Sequence, residues 1–211
     1  MDATRIIAIR HGETAWNVDA RIQGQLDIPL NDVGRWQAQR LAAALAGEAF
    51  AAVYASDLQR AGDTARAVAS AAGVEVLFDA GLRERAFGRF EGLTFPEIDA
   101  RWPDETRRWR QRDPHFGPEG GEVLLDFYDR CVGTAATLAA RHRGEQIVLV
   151  AHGGVMDCLY RAAARVELTA PRTWQVGNAS INRLLHTPQG FALVGWSDTQ
   201  HLEREALDEP V

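Results

Sequence analysis

Apolar and polar positions follow one another along this chain in two rhythms. Short, nearly continuous apolar runs, of which Ile6-Ile7-Ala8-Ile9 and Ile147-Val148-Leu149-Val150 are the clearest, are separated by stretches where apolar residues return every three or four positions. The first rhythm belongs to strands buried on both faces, the second to helices with one apolar stripe. Strands are predicted at residues 5–9, 51–55, 74–78 and 146–150, with helical pattern between them, an order that builds a mostly parallel sheet. A helix is predicted over 32–46, capped by Asn31 and stopped by Gly47. A second opens at Ser56-Asp57-Leu58-Gln59, where serine followed three residues on by glutamine reads as a capping box and puts Arg60 in the first turn. A long helix follows Gly121, with Leu124, Tyr128, Cys131, Ala135 and Leu138 on one stripe and Gly144 at its end. Residues 181–186 and 191–196, joined by Pro188-Gln189-Gly190, predict an antiparallel hairpin at one edge of the sheet.

Between 91 and 122 the pattern breaks into short pieces holding Phe95, Trp102, Trp109 and Phe116 among Pro96, Pro103, Pro114 and Pro118. Long irregular insertions are commonly lids or binding segments, so a cap is expected here; the alternative is that Trp102 and Trp109 close the core. The expected fold is a single α/β domain over 1–211: a three-layer α/β/α sandwich with a mostly parallel sheet, one antiparallel edge strand and a small helical cap insertion at about 92–122. The acidic tail from Glu203 is expected to be loose.

Composition adds exclusions. With 46% hydrophobic residues the chain has material for a real core, yet no apolar run approaches the roughly 18 residues of a membrane span. The start Met1-Asp2-Ala3-Thr4 has no basic stretch leading into an apolar one, and a soluble, cytoplasmic protein is expected. A net charge of −6 argues against nucleic acid or an anionic membrane as partner. Any anion must be captured locally, and the arginines near motifs are Arg10, Arg60, Arg83, Arg85 and Arg89, whereas Arg107, Arg108, Arg110 and Arg112 read as a solvated surface. Cys131 and Cys158 lie in helical pattern and read as core thiols.

Two apolar runs end in the same way, Ile9-Arg10-His11-Gly12 and Ala151-His152-Gly153-Gly154. In a parallel sheet the carboxyl ends of all strands open on one side, where ligands of open α/β folds bind, so the two histidines are expected to converge. A neutral imidazole can attack phosphorus, carry the phosphoryl group and surrender it to water; His11 is the expected nucleophile. Phosphoryl transfer asks for positive charge around the equatorial oxygens, and planar guanidinium groups suit it; Arg10 and Arg60 fill that role. His152 precedes a glycine pair opening a helix, so its ring and the amides from Gly153 onward can face an anion. A departing alkoxide needs a proton, and Glu84, in Leu82-Arg83-Glu84-Arg85, is the expected general acid; a surface ion pair with its arginine neighbours is the alternative.

Taken together these residues resemble the histidine phosphatase superfamily, the branch of cofactor-dependent phosphoglycerate mutases and broad phosphomonoesterases. Asn17, Gln23-Gly24, residues 27–34, Thr64-Ala65 and Phe87-Gly88-Arg89-Phe90-Glu91-Gly92 also sit where the family pattern expects them. The resemblance implies a phosphohistidine at His11, phosphoryl oxygens bound by Arg10, Arg60 and His152, a phosphate or its ester held by Asn17 and Gln23 beside Gly24, Glu84 as proton donor, and neither metal nor cofactor. After the acid, mutases of the family carry tyrosine-glycine, a lysine-bearing run and a longer basic insertion; Phe87-Gly88-Arg89-Phe90-Glu91-Gly92 and a shorter cap resemble the phosphatases instead. The expected activity is metal-independent hydrolysis of small phosphorylated metabolites. The alternatives are a mutase, with Arg89, Arg107 and Arg108 on the substrate carboxylate, and a catalytically silent phospholigand-binding module. Oligomeric state stays open, a homodimer included.

Overall fold

The computed structural model describes residues 3–203, so the tail predicted to be loose lies outside the described residues beyond Glu203. Six strands, β1 (Thr4–Arg10), β2 (Ala52–Ala55), β3 (Val76–Phe78), β4 (Gln146–Ala151), β5 (Ile181–Thr187) and β6 (Gly190–Asp198), form one sheet in the order β3-β2-β4-β1-β5-β6. The first four in sequence pair in parallel, and the β5–β6 hairpin closes one edge by antiparallel pairing to β1. Among the described residues seven α-helices accompany them: α1 (Ala15–Val18), α2 (Asp32–Ala44), α3 (Gln59–Ala72), α4 (Phe95–Arg101), α5 (Pro103–Arg110), α6 (Leu124–Ala140) and α7 (Gly153–Ala164).

Alternation along the strands divides the core. Ile6, Ala8, Ile147 and Leu149 join Phe127, Leu138, Met156 and Leu159 from α6 and α7 on one face. Their neighbours Ile7, Ile9, Val148 and Val150 join Leu41, Ala65 and Val68 from α2 and α3 on the other. Both faces are therefore covered, which is why these strands read as unbroken apolar runs. None of the helices in the described residues is long and apolar enough to cross a membrane.

The 91–122 insertion has a small core of its own. Ile98 and Phe116 are buried there together with Phe90 from the turn just before it, and Trp102 and Trp109 pack against them, so the two tryptophans serve the cap's own packing. Arg107, Arg108 and Arg110 are exposed, as the charge pattern predicts. Arg112 is not: its Nη2 donates to Asp157 at 2.7 Å and its Nε to the Leu168 carbonyl at 2.8 Å, tying the end of the cap to α7. The capping box expected at Ser56 does not form. Helix α3 begins at Gln59 with Leu58 at its cap and no side-chain capping bond; the Ser56 hydroxyl faces a buried imidazole instead. Arg60 still falls in the first turn.

Candidate active site

Register brings the two strand-end histidines together. Arg10 on β1 pairs with Ala151 on β4, so His11 and His152 come next to each other just beyond the strand ends, with ring centroids 5.2 Å apart. The turn after β1 seats on the start of α2 at a distance only glycine permits: a Cβ on Gly12 would stand 2.5 Å from the Gly34 carbonyl oxygen, and one on Gly34 2.1 Å from that of Glu13. The Gly12 amide donates to the Thr64 hydroxyl at 3.0 Å, which itself donates to the Arg60 carbonyl at 2.8 Å. The turn after β1 and α3 are thereby locked together.

His11 is held in one tautomer by its neighbour. His11 Nδ1 lies 2.6 Å from the Gly12 carbonyl, which can only accept, so Nδ1 carries the hydrogen and Nε2 the lone pair. Burial first, then the charges of Arg60 and Arg10, hold its pKa well below the ordinary histidine value, and the ring stays neutral and nucleophilic at pH 7. His152 Nε2 lies 2.8 Å from Ser56 Oγ, whose lone pair also accepts the Leu58 amide at 3.3 Å. With the hydroxyl donating to Nε2, His152 becomes an Nδ1 donor, and that buried nitrogen has no partner among the described residues. Its pKa too is held well below the usual value, by burial, then by Arg60 and His11.

The two arginines are anchored on carbonyls and, among the described residues, on no carboxylate. Arg10 gives Nη1 to the Val176 carbonyl at 2.5 Å; Arg60 gives Nη1 and Nη2 to the carbonyls of Leu26 and Gly24 at 2.8 and 2.7 Å. The Nε of each is buried without a partner, as is the side-chain oxygen of Gln23. Burial lowers the Arg10 pKa to about 10 against the pull of Glu84. Buried donors left unpaired are costly, and an anion between them satisfies both.

Glu84 spans from the segment after β3 to the start of α7. Its Oε1 accepts the Arg85 amide at 2.8 Å and its Oε2 the Gly154 amide at 2.9 Å. A Cβ on Gly154 would come within 2.2 Å of Oε1, so the second glycine after His152 is what lets the carboxyl reach the helix terminus. The surface ion pair with the flanking arginines is not found: Arg83 pairs with Asp57 at 2.5 Å, and Arg85 donates to the carbonyls of Glu122 and Phe116.

A cavity of about 160 Å³ at these strand ends is lined by Arg10, His11, Asn17, Gln23, Gly24, Arg60, Glu84 and Gly153, together with Arg21, Ile22 and Phe87. His152 is fully buried behind His11. Arg83, Arg85 and Arg89 do not reach this cavity; Arg89 pairs with Glu105 and Glu119 and lies over Trp102. Two contributors escape sequence reasoning. Asn178 donates to the His11 carbonyl at 3.0 Å and to Asn17 Oδ1 at 3.3 Å, from a loop with no periodicity to mark it. Ser56 sits inside a local motif that reads as a cap, while its true partner lies 96 residues away. Among the described residues no group of three or more His, Cys, Asp or Glu side chains is placed to hold a metal ion.

The chain matches the histidine phosphatase superfamily (branch 1) over residues 6–199 and belongs to it. It is 40% identical over 207 residues to phosphoglycerate mutase-like protein 4 of Arabidopsis thaliana, covering 96% of this chain and 89% of that one. It is 36% identical over 205 residues to the metal-independent phosphoserine phosphatase of the same plant, covering 95% and 84%. Among solved structures, mycobacterial glucosyl-3-phosphoglycerate phosphatase in complex with VO3 superposes with a TM-score of 0.83 at 35% identity, over 92% of this chain and 99% of that one.

Proposed function

We propose that the protein is a metal-independent phosphomonoesterase for small phosphorylated metabolites, with His11 as its covalent carrier. The observation that carries this reading is a neutral imidazole, its Nδ1 fixed on the Gly12 carbonyl, beside buried, unpartnered Nε donors of Arg10 and Arg60. His11 Nε2 attacks phosphorus and the ester P–O bond breaks. Arg10, Arg60 and the His152 Nδ1 donor hold the equatorial oxygens, where the charge of the transition state lies. Glu84 gives a proton to the departing oxygen. In the second half, water attacks the phosphohistidine, Glu84 takes its proton, the P–N bond breaks, and inorganic phosphate and free His11 result. Asn17, Gln23 and the amides at Gly24 and Gly153 complete the cradle, and residues 92–122 act as the cap over it.

Hydrolysis is favoured over mutase activity by the fate of the cap arginines. Arg89, Arg107 and Arg108 are each paired with an acidic side chain, respectively Glu105 with Glu119, Asp104, and Asp113, and none is left for a substrate carboxylate. A silent binding module has no need of a nucleophile aligned with an acid. Rapid quench with a radiolabelled phosphoester should trap a phosphoenzyme labile in acid and stable in base, undiminished by EDTA and lost in His11→Ala along with at least about a thousandfold of turnover. A base-labile adduct would instead indicate an acyl phosphate. With 3-phosphoglycerate and a bisphosphoglycerate primer, inorganic phosphate should accumulate faster than 2-phosphoglycerate.

A further inference from the structure

Of the two buried imidazoles, only one has its hydrogen placed by a group that has no choice. His11 Nδ1 rests on a carbonyl, which only accepts. His152 Nε2 lies 2.8 Å from the Ser56 hydroxyl, and a hydroxyl both donates and accepts. Burial first, then Arg60, His11 and Arg10, keep the His152 ring neutral, so one of its nitrogens carries a hydrogen and the other a lone pair. Nδ1, the nitrogen turned away from Ser56, is buried and has no partner among the described residues. With the hydrogen there, the site gains a donor in addition to the Nε groups of Arg10 and Arg60; with the lone pair there, an anion is repelled.

The surroundings of Ser56 decide between the two. Ala55 on β2 pairs with Val150 on β4, and the Ser56 amide continues the ladder onto the Val150 carbonyl at 3.0 Å. Strand register thus delivers the serine to a fixed place next to the end of β4, where it is fully buried. Its Oγ accepts the Leu58 amide at 3.3 Å, and its other side-chain partner among the described residues is His152 Nε2. A main-chain amide cannot accept, so the hydroxyl hydrogen has one acceptor within reach, the lone pair of Nε2. In the opposite tautomer the Leu58 amide and Nε2–H would both point at Oγ, and the hydroxyl hydrogen would be left buried without a partner, the costly arrangement.

Given the phosphatase function proposed for the site, we propose that Ser56 is a positioning residue: it donates to His152 Nε2, holds the ring hydrogen on Nδ1 and so presents His152 to the phosphoryl oxygens as a neutral donor. Both histidines then have the same tautomer and use it in opposite ways. On His11 the hydrogen is tied to the Gly12 carbonyl and the free lone pair of Nε2 is the working end; on His152 the lone pair is tied to Ser56 and the hydrogen is the working end. Ser56 has no part in the chemistry except through that ring.

Long-range proton–nitrogen correlation NMR on protein made with isotope-labelled histidine reads the tautomer directly, the His152 signals being identified by their loss in His152→Ala. Wild-type protein should show a hydrogen on Nδ1 and a bare Nε2. Ser56→Ala, which removes a single oxygen atom, should populate the reverse form. With para-nitrophenyl phosphate the same variant should lose about 10–10² in kcat/KM, the scale on which a group that orients an imidazole contributes. The double variant Ser56→Ala/His152→Ala should lose no more than His152→Ala alone, because Ser56 acts through that ring. A hydrogen on Nε2 in wild-type protein, or a tautomer unchanged in Ser56→Ala, overturns the assignment. So do full activity despite a changed tautomer and losses that multiply in the double variant, the sign of a separate structural role. If wild-type protein releases no phosphate from para-nitrophenyl phosphate, the phosphatase function falls and the catalytic part of this role with it, while the two NMR patterns still decide whether Ser56 sets the ring.

Discussion

Arginine serves opposite purposes in the floor of the site and in the cap above it. In the floor, Arg10 and Arg60 are buried, rest on main-chain carbonyls and form no ion pair among the described residues. In the cap Arg107 and Arg108, and at its border Arg89, each lie against an acidic side chain. Carbonyl anchors fix a guanidinium without cancelling its charge, while a carboxylate does both. The contrast teaches that the cations awaiting a ligand are those the protein positions but leaves unneutralised. Desolvating them is expensive, and the cost is recovered only when an anion arrives.

The largest effect should come from the group between the two regions. Glu84→Gln keeps the shape of the side chain and removes its proton transfer, so esters with poor leaving groups should lose about 10²–10⁴ in kcat, the usual contribution of a positioned acid. Para-nitrophenyl phosphate, whose leaving group departs with little help, should lose far less. Equal losses on both would mean that Glu84 only shapes the pocket.

A direct attempt to break the comparison sets one arginine from each region side by side. Arg60→Ala should cost roughly 10²–10³ in kcat/KM, the scale for removing one preorganised donor to transition-state charge. Arg107→Ala removes an exposed pair with Asp104 and should stay within about twofold, since such pairs contribute only about 0–1 kcal/mol. Similar losses at the two positions would dissolve the distinction.

The smallest effect is on stability. His11 and His152 have pKa values held well below 6.5 in the folded protein, so below pH 6.5 the unfolded chain binds more protons than the folded one. Stability must then fall as pH drops, by up to about 1.4 kcal/mol per pH unit for each ring. Denaturant titrations between pH 7 and pH 5 should show this slope, and His11→Ala should reduce it by about half. A flat profile would show that the rings are solvated and charged.

Legibility in the sequence depends on the range of the interaction concerned. The apolar runs at residues 6–9 and 147–150 announce central strands because burial on both faces leaves a local signature, and His11 and His152 are legible because they end those runs. The cap's aromatic residues leave two roles open, since periodicity says that Trp102 and Trp109 are buried without saying against what. Ser56 misleads because a capping box is a local pattern, whereas its hydroxyl answers to His152 across the sheet. Arg112 looks solvated as the last of four arginines in six positions, and only tertiary structure shows it pinned to Asp157. Asn178 carries no local mark, because the loop after α7 takes its course from contacts with β1 and β6.

The amide of Gly154 holds Glu84 while the residue two positions earlier is His152, the cap of the same helix. The proposed proton donor and the proposed phosphate-binding imidazole are thus mounted on one bracket, and any tilt of α7 carries both. For protein engineering the proposed chemistry would separate reaction from recognition: the segment 92–122 could be exchanged to suit a different alcohol, provided that the bracket is left untouched. Substituting Gly154, however small the replacement, would spoil the chemistry for every substrate alike.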